Sequence, residues 1–149
     1  MRSDWHSAPM PRGEAQLPGA QWRAGMDSVD GGWTPDLSAA HPAGERWIRT
    51  VRVTEAGLSV RDEGDALGDP ATRIVVVCTG VPERDGDGIV VPGRDGSRGL
   101  RLTFDPAEVD VETVEIDDRH LRRSWGERVT RMLFRPASGA GWELRGEAR

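Results

Sequence analysis

The sequence predicts an all-β fold, an antiparallel β-sandwich of about eight short strands with little helix. Three observations predict it. Apolar and polar residues alternate over short runs, most clearly at Leu100, Leu102 and Phe104, with Arg101 and Thr103 between them. Clusters of Gly, Pro and Asp punctuate the chain between those runs. No long stretch repeats apolar residues at helical spacing. The 149 residues suit one domain over residues 1–149, large enough for a two-layer core, with a loop-rich N-terminal portion over residues 1–45. No internal repeat is visible.

In chain order, residues 5–25 are rich in Pro and Gly and offer only a short strand around residues 21–24. Asp30-Gly31-Gly32 and Thr34-Pro35-Asp36 read as turns. Residues 47–53 then alternate as a strand, and Glu55-Ala56-Gly57 returns the chain into residues 58–62 as a hairpin. Residues 74–79 are apolar on both faces, the mark of a central strand covered on both sides or at a tight sandwich core. Residues 82–88 and 92–99 read as Gly, Asp and Arg loops around a brief strand at 89–91, and Asp105-Pro106 closes the strand at 100–104.

Residues 109–134 organise the remainder as strand, connection and strand. Val109 and Val111 share one face while Val114 and Ile116 share the other, which predicts a bulge near Glu112 and Thr113. Asp117 and Asp118 suit a turn or a helix N-terminus. Leu121 and Trp125 are four apart, so one helical turn would aim both at the sheet, with Trp125 as a buried anchor. Gly126 frees the chain to reverse. A loop over residues 135–141 and a strand at 142–144 complete the series.

Composition excludes several classes of function. The net charge of −5 arises from interspersed acids and arginines, which predicts neither a nucleic-acid nor a membrane partner. No apolar run is long enough to span a bilayer, and Met1-Arg2-Ser3-Asp4 lacks the apolar core of a signal peptide, so the residues leave the compartment open. The single cysteine, Cys78, lies in an apolar run and reads as a small buried hydrophobe. All 20 basic residues are Arg and the chain contains no Tyr and no Asn, which rules out lysine and tyrosine chemistry from these residues.

Three motifs, in order, resemble the closing sandwich of heparinase II/III-type polysaccharide lyases. The first is Ser3, His6, Pro9, Gly13, Gln16 and Gly19, with Ser7 where the family usually has Asn. The second is Asp36-Leu37-Ser38-Ala39-Ala40-His41-Pro42, with His41 in place of a Tyr, followed by an Arg-rich strand and one ending Val60-Arg61-Asp62. The third is Asp117-Asp118-Arg119-His120-Leu121, continuing through Trp125-Gly126 into Arg131-Met132-Leu133. The resemblance covers nearly the whole chain. It implies a C-terminal sandwich domain or fragment of an enzyme that cleaves uronate-containing polysaccharides by β-elimination. It also implies a catalytic helical toroid as partner, polysaccharide as the ligand of the full-length protein, and relatives that are often secreted or periplasmic.

The same resemblance bears on individual sites. Polysaccharide lyases need a base, an acid and a group that stabilises the developing enolate. In the family these come from the toroid and from an earlier sandwich strand, so no catalytic residue is assigned in this chain. His6 resembles the last ligand of a zinc site built from two His and one Asp. Zinc needs three or four converging ligands, so a loop histidine is the plainer reading and no cofactor is assigned to the chain itself. His41 and His120 read as a packing residue and an exposed residue. Asp117 and Asp118 read as backbone caps, not a paired-carboxylate site.

Among the tryptophans, Trp33, between Gly-Gly and Thr-Pro, is the candidate carbohydrate-binding residue because loops carry binding side chains. Trp22 and Trp47 could stack on sugar rings as well, and for all three the plainer reading in a domain poor in Phe is core. Gly86-Asp87-Gly88 and Gly93-Arg94-Asp95-Gly96 lack a phosphate loop's strand-to-helix setting and its Lys, and read as turns. Two functional classes follow. One is a lyase sandwich without its toroid, lacking neighbours for a strand edge and an apolar face and prone to self-association. The other is a noncatalytic carbohydrate-binding or structural sandwich. Buried Trps with an uncovered apolar sheet favour the first, and coplanar exposed Trps favour the second.

Overall fold

The computed structural model describes residues 5–18, 24–41, 44–55, 57–93, 97–137, 139 and 141–149. Two antiparallel sheets pack face to face. The four-stranded sheet has the order β1 (Pro9–Met10), β6 (Arg73–Thr79), β11 (Arg128–Pro136), β10 (Ala107–Glu115). The eight-stranded sheet runs β2 (Gly25–Val29), β3 (Gly32–Asp36), β4 (Trp47–Thr54), β5 (Gly57–Gly64), β12 (Gly141–Ala148), β9 (Leu100–Phe104), β8 (Gly88–Val91), β7 (Glu83–Asp85). Among the described residues one α-helix, α1 (Arg119–Trp125), joins β10 to β11, and single 3-10 turns lie at Pro11–Gly13 and Ser38–Ala40. The all-β sandwich expected from alternation is the observed architecture.

Side chains directly opposite each other in an antiparallel pair share a face, so the register locates the core. Trp142, Leu144 and Leu102 of the large sheet meet Ile74, Met132 and Phe134 of the small one, all 4 % exposed or less. Phe134 lies edge-on to Phe104 at 4.9 Å and tilted to Trp142 at 5.2 Å. Trp47 is fully buried at the end of the large sheet, opposite Gly64. A Cβ on Gly64 would stand 2.6 Å from the Trp47 ring, so the absence of a side chain there makes room for the indole.

Several local expectations are corrected. The 109–134 stretch has no bulge, because β10 and β11 pair without interruption from Ala107↔Pro136 to Glu115↔Arg128. The switch in apolar parity has another cause. Thr113 faces inward, its hydroxyl 3.0 Å from that of Thr130, while Val114 faces outward beside Val129, where the outer face is also apolar. Glu112–Arg131 and Glu108–Arg135 form cross-strand ion pairs on that outer face, and Glu115–Arg128 forms one on the opposite face, all of which favour this register.

The loop-rich N-terminal portion contains β1, β2 and β3, and of the two stretches that read as turns there Asp30-Gly31 is one and Thr34-Pro35-Asp36 is not. Thr34, Pro35 and Asp36 are strand residues. Pro35 has no N–H, and the β3–β4 pairing is interrupted at Thr34 and Pro35 before it resumes at Asp36↔Ile48. The 82–88 loop includes β7, β11 extends to Pro136, and β12 runs to Ala148. The short strand expected at 21–24 and the turn at 93–96 fall mainly outside the described residues.

Candidate functional site

The motif residues have definite structural roles. Asp36 Oδ1 accepts from the Ser38 N–H at 3.0 Å and from its hydroxyl at 2.5 Å, and the Ser38 Oγ in turn accepts from the Trp47 N–H at 2.9 Å. These bonds hold the Asp36 carboxyl below its ordinary range, the hydroxyl contributing most. They also fasten the connection to the start of β4. Asp62 is fully buried. It accepts from Trp47 Nε1 at 2.8 Å, from Arg49 Nε at 2.9 Å and from Arg49 Nη2 at 2.8 Å, while Arg49 Nη1 donates to the Ser7 carbonyl at 2.8 Å. Three charge-assisted bonds to one carboxylate satisfy a group that would be costly to bury alone.

In the third motif, Asp118 caps α1 by accepting from the His120 and Leu121 N–H groups at 2.7 and 2.9 Å. Gly126 ends the helix at φ 83°, where a side chain would be strained. Trp125 is not a buried anchor. It is 38 % exposed, and no residue of α1 is buried. Leu121 and Trp125 do share a face, where they line an outer groove of about 320 Å³ with Trp5, Val77, Val114 and Ile116. Arg131 lies over the Trp5 ring at 4.5 Å. The groove is apolar because α1 stands off the sheet, leaving both surfaces partly wet.

His6 is exposed, and no group of three potential metal ligands occurs among the described residues. His41 is 3 % exposed and tilted against Trp47 at 6.4 Å. Among the described residues neither of its ring nitrogens has a hydrogen-bond partner. Burial pushes its pKa below the ordinary value, with Glu45 opposing and Arg49 assisting. His120 is an exposed residue of α1. Ser3, Gly19 and Trp22 lie outside the described residues.

Trp33 is 50 % exposed, and it sits on β3, not in a loop. Its register partners place it in a row with Val51, Val60 and Leu144, on the face that becomes the core farther across the sheet. Met26, Trp33 and Val53 are 66, 50 and 57 % exposed on that same inner face, because the four-stranded sheet is too narrow to cover it.

Where cover ends, a cleft of about 330 Å³ opens between the sheets, lined by Val51, Leu58, Val60, Val76, Cys78 and Leu100. Burial pushes the Cys78 thiol up to about 11, so it lines the cleft as an apolar group. Sequence reasoning missed this cleft. The signal available was the 74–78 run, apolar on both faces, whose preceding strand partner is only two residues long. Comparison of the chain with protein-family models and with curated proteins found no match.

Proposed function

We propose that this chain is the sandwich domain of a heparinase II/III-like polysaccharide lyase, packed in the working enzyme against a helical toroid that supplies the acid and base for β-elimination. The observation that carries this reading is the uncovered inner face at Met26, Trp33, Val51 and Val53, together with the burial of Trp47 and Trp142 in the core. An apolar sheet face of this kind marks an interaction surface. A flat sugar platform would present several coplanar aromatic rings, whereas among the described residues of this face one exposed indole stands with aliphatic side chains. The second and third motifs support the same reading as scaffold elements: a buried Arg–Asp pair, a Ser-linked turn and a capped helix. The chain's role in catalysis is then to position the toroid and the polysaccharide. With no Tyr and no Asn in the chain, proton transfer belongs to the partner domain.

The test is complementation. The purified chain is mixed with the toroid half of a heparinase II/III-like lyase and assayed on heparin, heparan and alginate for the ultraviolet absorbance of the unsaturated product. Activity in the mixture and in neither half is the expected result. Absence of both association and activity across these substrates would overturn the assignment.

The exposure of Trp33 favours a second reading, a noncatalytic carbohydrate-binding module. In that case the chain alone would bind a polysaccharide, and Trp33→Ala would abolish binding without affecting the melting temperature.

A further inference from the structure

We propose that the outer edge of β10 is an acceptor site for an extended strand of another polypeptide, one that alternates apolar residues with Lys or Arg. This inference stands on the edge and its charges and does not depend on the lyase reading.

β10 is the last strand of the small sheet and pairs with β11 alone. Two bonds fix which of its backbone groups that pairing uses. The Ile116 N–H donates to the Glu127 carbonyl at 2.8 Å, and the Ala137 N–H donates to the Pro106 carbonyl at 3.0 Å. Both continue the β10–β11 register, so the even-numbered residues of β10 bond to β11. Thr113 and Thr130, whose hydroxyls stand 3.0 Å apart, occupy one of the closer pairs between those bonds. The odd-numbered residues, with Val109, Val111 and Thr113 at the centre, therefore direct their N–H and C=O groups to the outer edge. Among the described residues nothing bonds to them there. Edge strands are ordinarily protected by Pro, Lys, a bulge or short length. β10 is nine residues long, pairs without a bulge and contains neither Pro nor Lys. A row of backbone donors and acceptors at strand spacing is matched by another extended backbone.

Charge defines the occupant. The charged residues of β10 are all acidic: Glu108, Asp110, Glu112 and Glu115. Glu108 and Glu112 are paired with Arg135 and Arg131, whereas Asp110 lies opposite Leu133 and, among the described residues, has no cationic partner. A second copy fits poorly, because antiparallel pairing of β10 with itself sets Asp110 opposite Glu112, and like charges so placed are destabilising. A strand added about 4.8 Å beyond β10 would meet Asp110 at a non-hydrogen-bonded position, where facing side chains are closest. A Lys or Arg there supplies the missing partner. On the other face Val109 packs against the core while Val111 is 48 % exposed, so the alternate residues of the partner should be apolar.

The probe is a blocked eight-residue peptide alternating Val and Lys. One control replaces each Lys by Glu, and another replaces each Val by Pro. The readout is hydrogen exchange resolved by residue. In the protein alone the Val109, Val111 and Thr113 amides should exchange quickly, while those of Asp110 and Glu112, bonded to β11, are protected. With the Val–Lys peptide at roughly ten times its dissociation constant, the three edge amides should slow about tenfold. The Glu peptide should bind roughly fivefold more weakly or worse, and the Pro peptide should protect nothing.

Val111→Pro removes an edge donor that bonds to no strand, so the variant should keep its near-ultraviolet dichroism and lose the peptide effect. Should it unfold, Asp110→Lys, an exposed change, tests the same point: preference should pass from the Lys peptide to the Glu peptide. The proposal would be overturned by edge amides protected without peptide, by unchanged exchange at the highest soluble peptide concentration, by equal protection from the Lys and Glu peptides, or by an unaltered response in either folded variant. Protection without peptide that rose with protein concentration would instead make a second copy the occupant. Failure here leaves toroid complementation untouched, because that assay contains no strand peptide.

Discussion

Arg49 holds Asp62 through both carboxylate oxygens, Nε to Oδ1 at 2.9 Å and Nη2 to Oδ2 at 2.8 Å, while Trp47 Nε1 donates to Oδ1 from the core. The pair ties β4 to β5 where the large sheet leaves the cover of the small one. It fixes the Ser7 segment as well, through Arg49 Nη1.

Removing one member of such a buried pair leaves uncompensated charge. Asp62→Ala is expected to cost about 3–5 kcal/mol in urea unfolding, and Arg49→Lys a smaller amount because it forfeits the two-pronged geometry. A loss below about 1 kcal/mol for Asp62→Ala would mean that the pair contributes no more than an exposed one.

His41 makes stability depend on pH. Its folded pKa lies below the ordinary 6.5, with burial as the largest cause. As pH falls below 6.5 the unfolded chain takes up a proton that the folded chain does not, so stability is complete above that value and declines toward the depressed folded value. His41→Phe should flatten the stability profile in this window. An unchanged slope from denaturant titrations at successive pH values would exclude His41 as the source.

The tryptophans divide by burial. Trp142 is 1 % exposed and donates to the Asp105 carbonyl at 3.0 Å, so Trp142→Ala should cost about 3–5 kcal/mol. Trp125, at 38 % exposed, should cost about 1 kcal/mol when truncated. Comparable melting temperatures for the two variants would contradict this division.

The isolated chain should leave heparin, heparan and alginate intact, because it contains no Tyr and no Asn from which the proposed elimination would draw its acid and base. Appearance of the unsaturated product's ultraviolet absorbance from the purified chain would overturn this.

Much of this architecture was written in local pattern. The alternation at residues 100–104, the hairpin formed by β4 and β5, and the cap and stop at Asp118 and Gly126 depend on neighbours within a few residues, so the sequence alone determined them. Its alternation also places Val51 on one face of a strand, whereas Trp33 reads as a loop residue and only the structure puts it on a sheet face. Only the tertiary structure decided what covers those faces. Alternation specifies which side chains share a side of a strand, whereas cover depends on sheet order and width, set by pairings as distant as β1 with β6. For that reason Trp142 is buried while Trp125 stands at a groove, and Arg49 and Asp62 meet across two strands beside an apolar cleft.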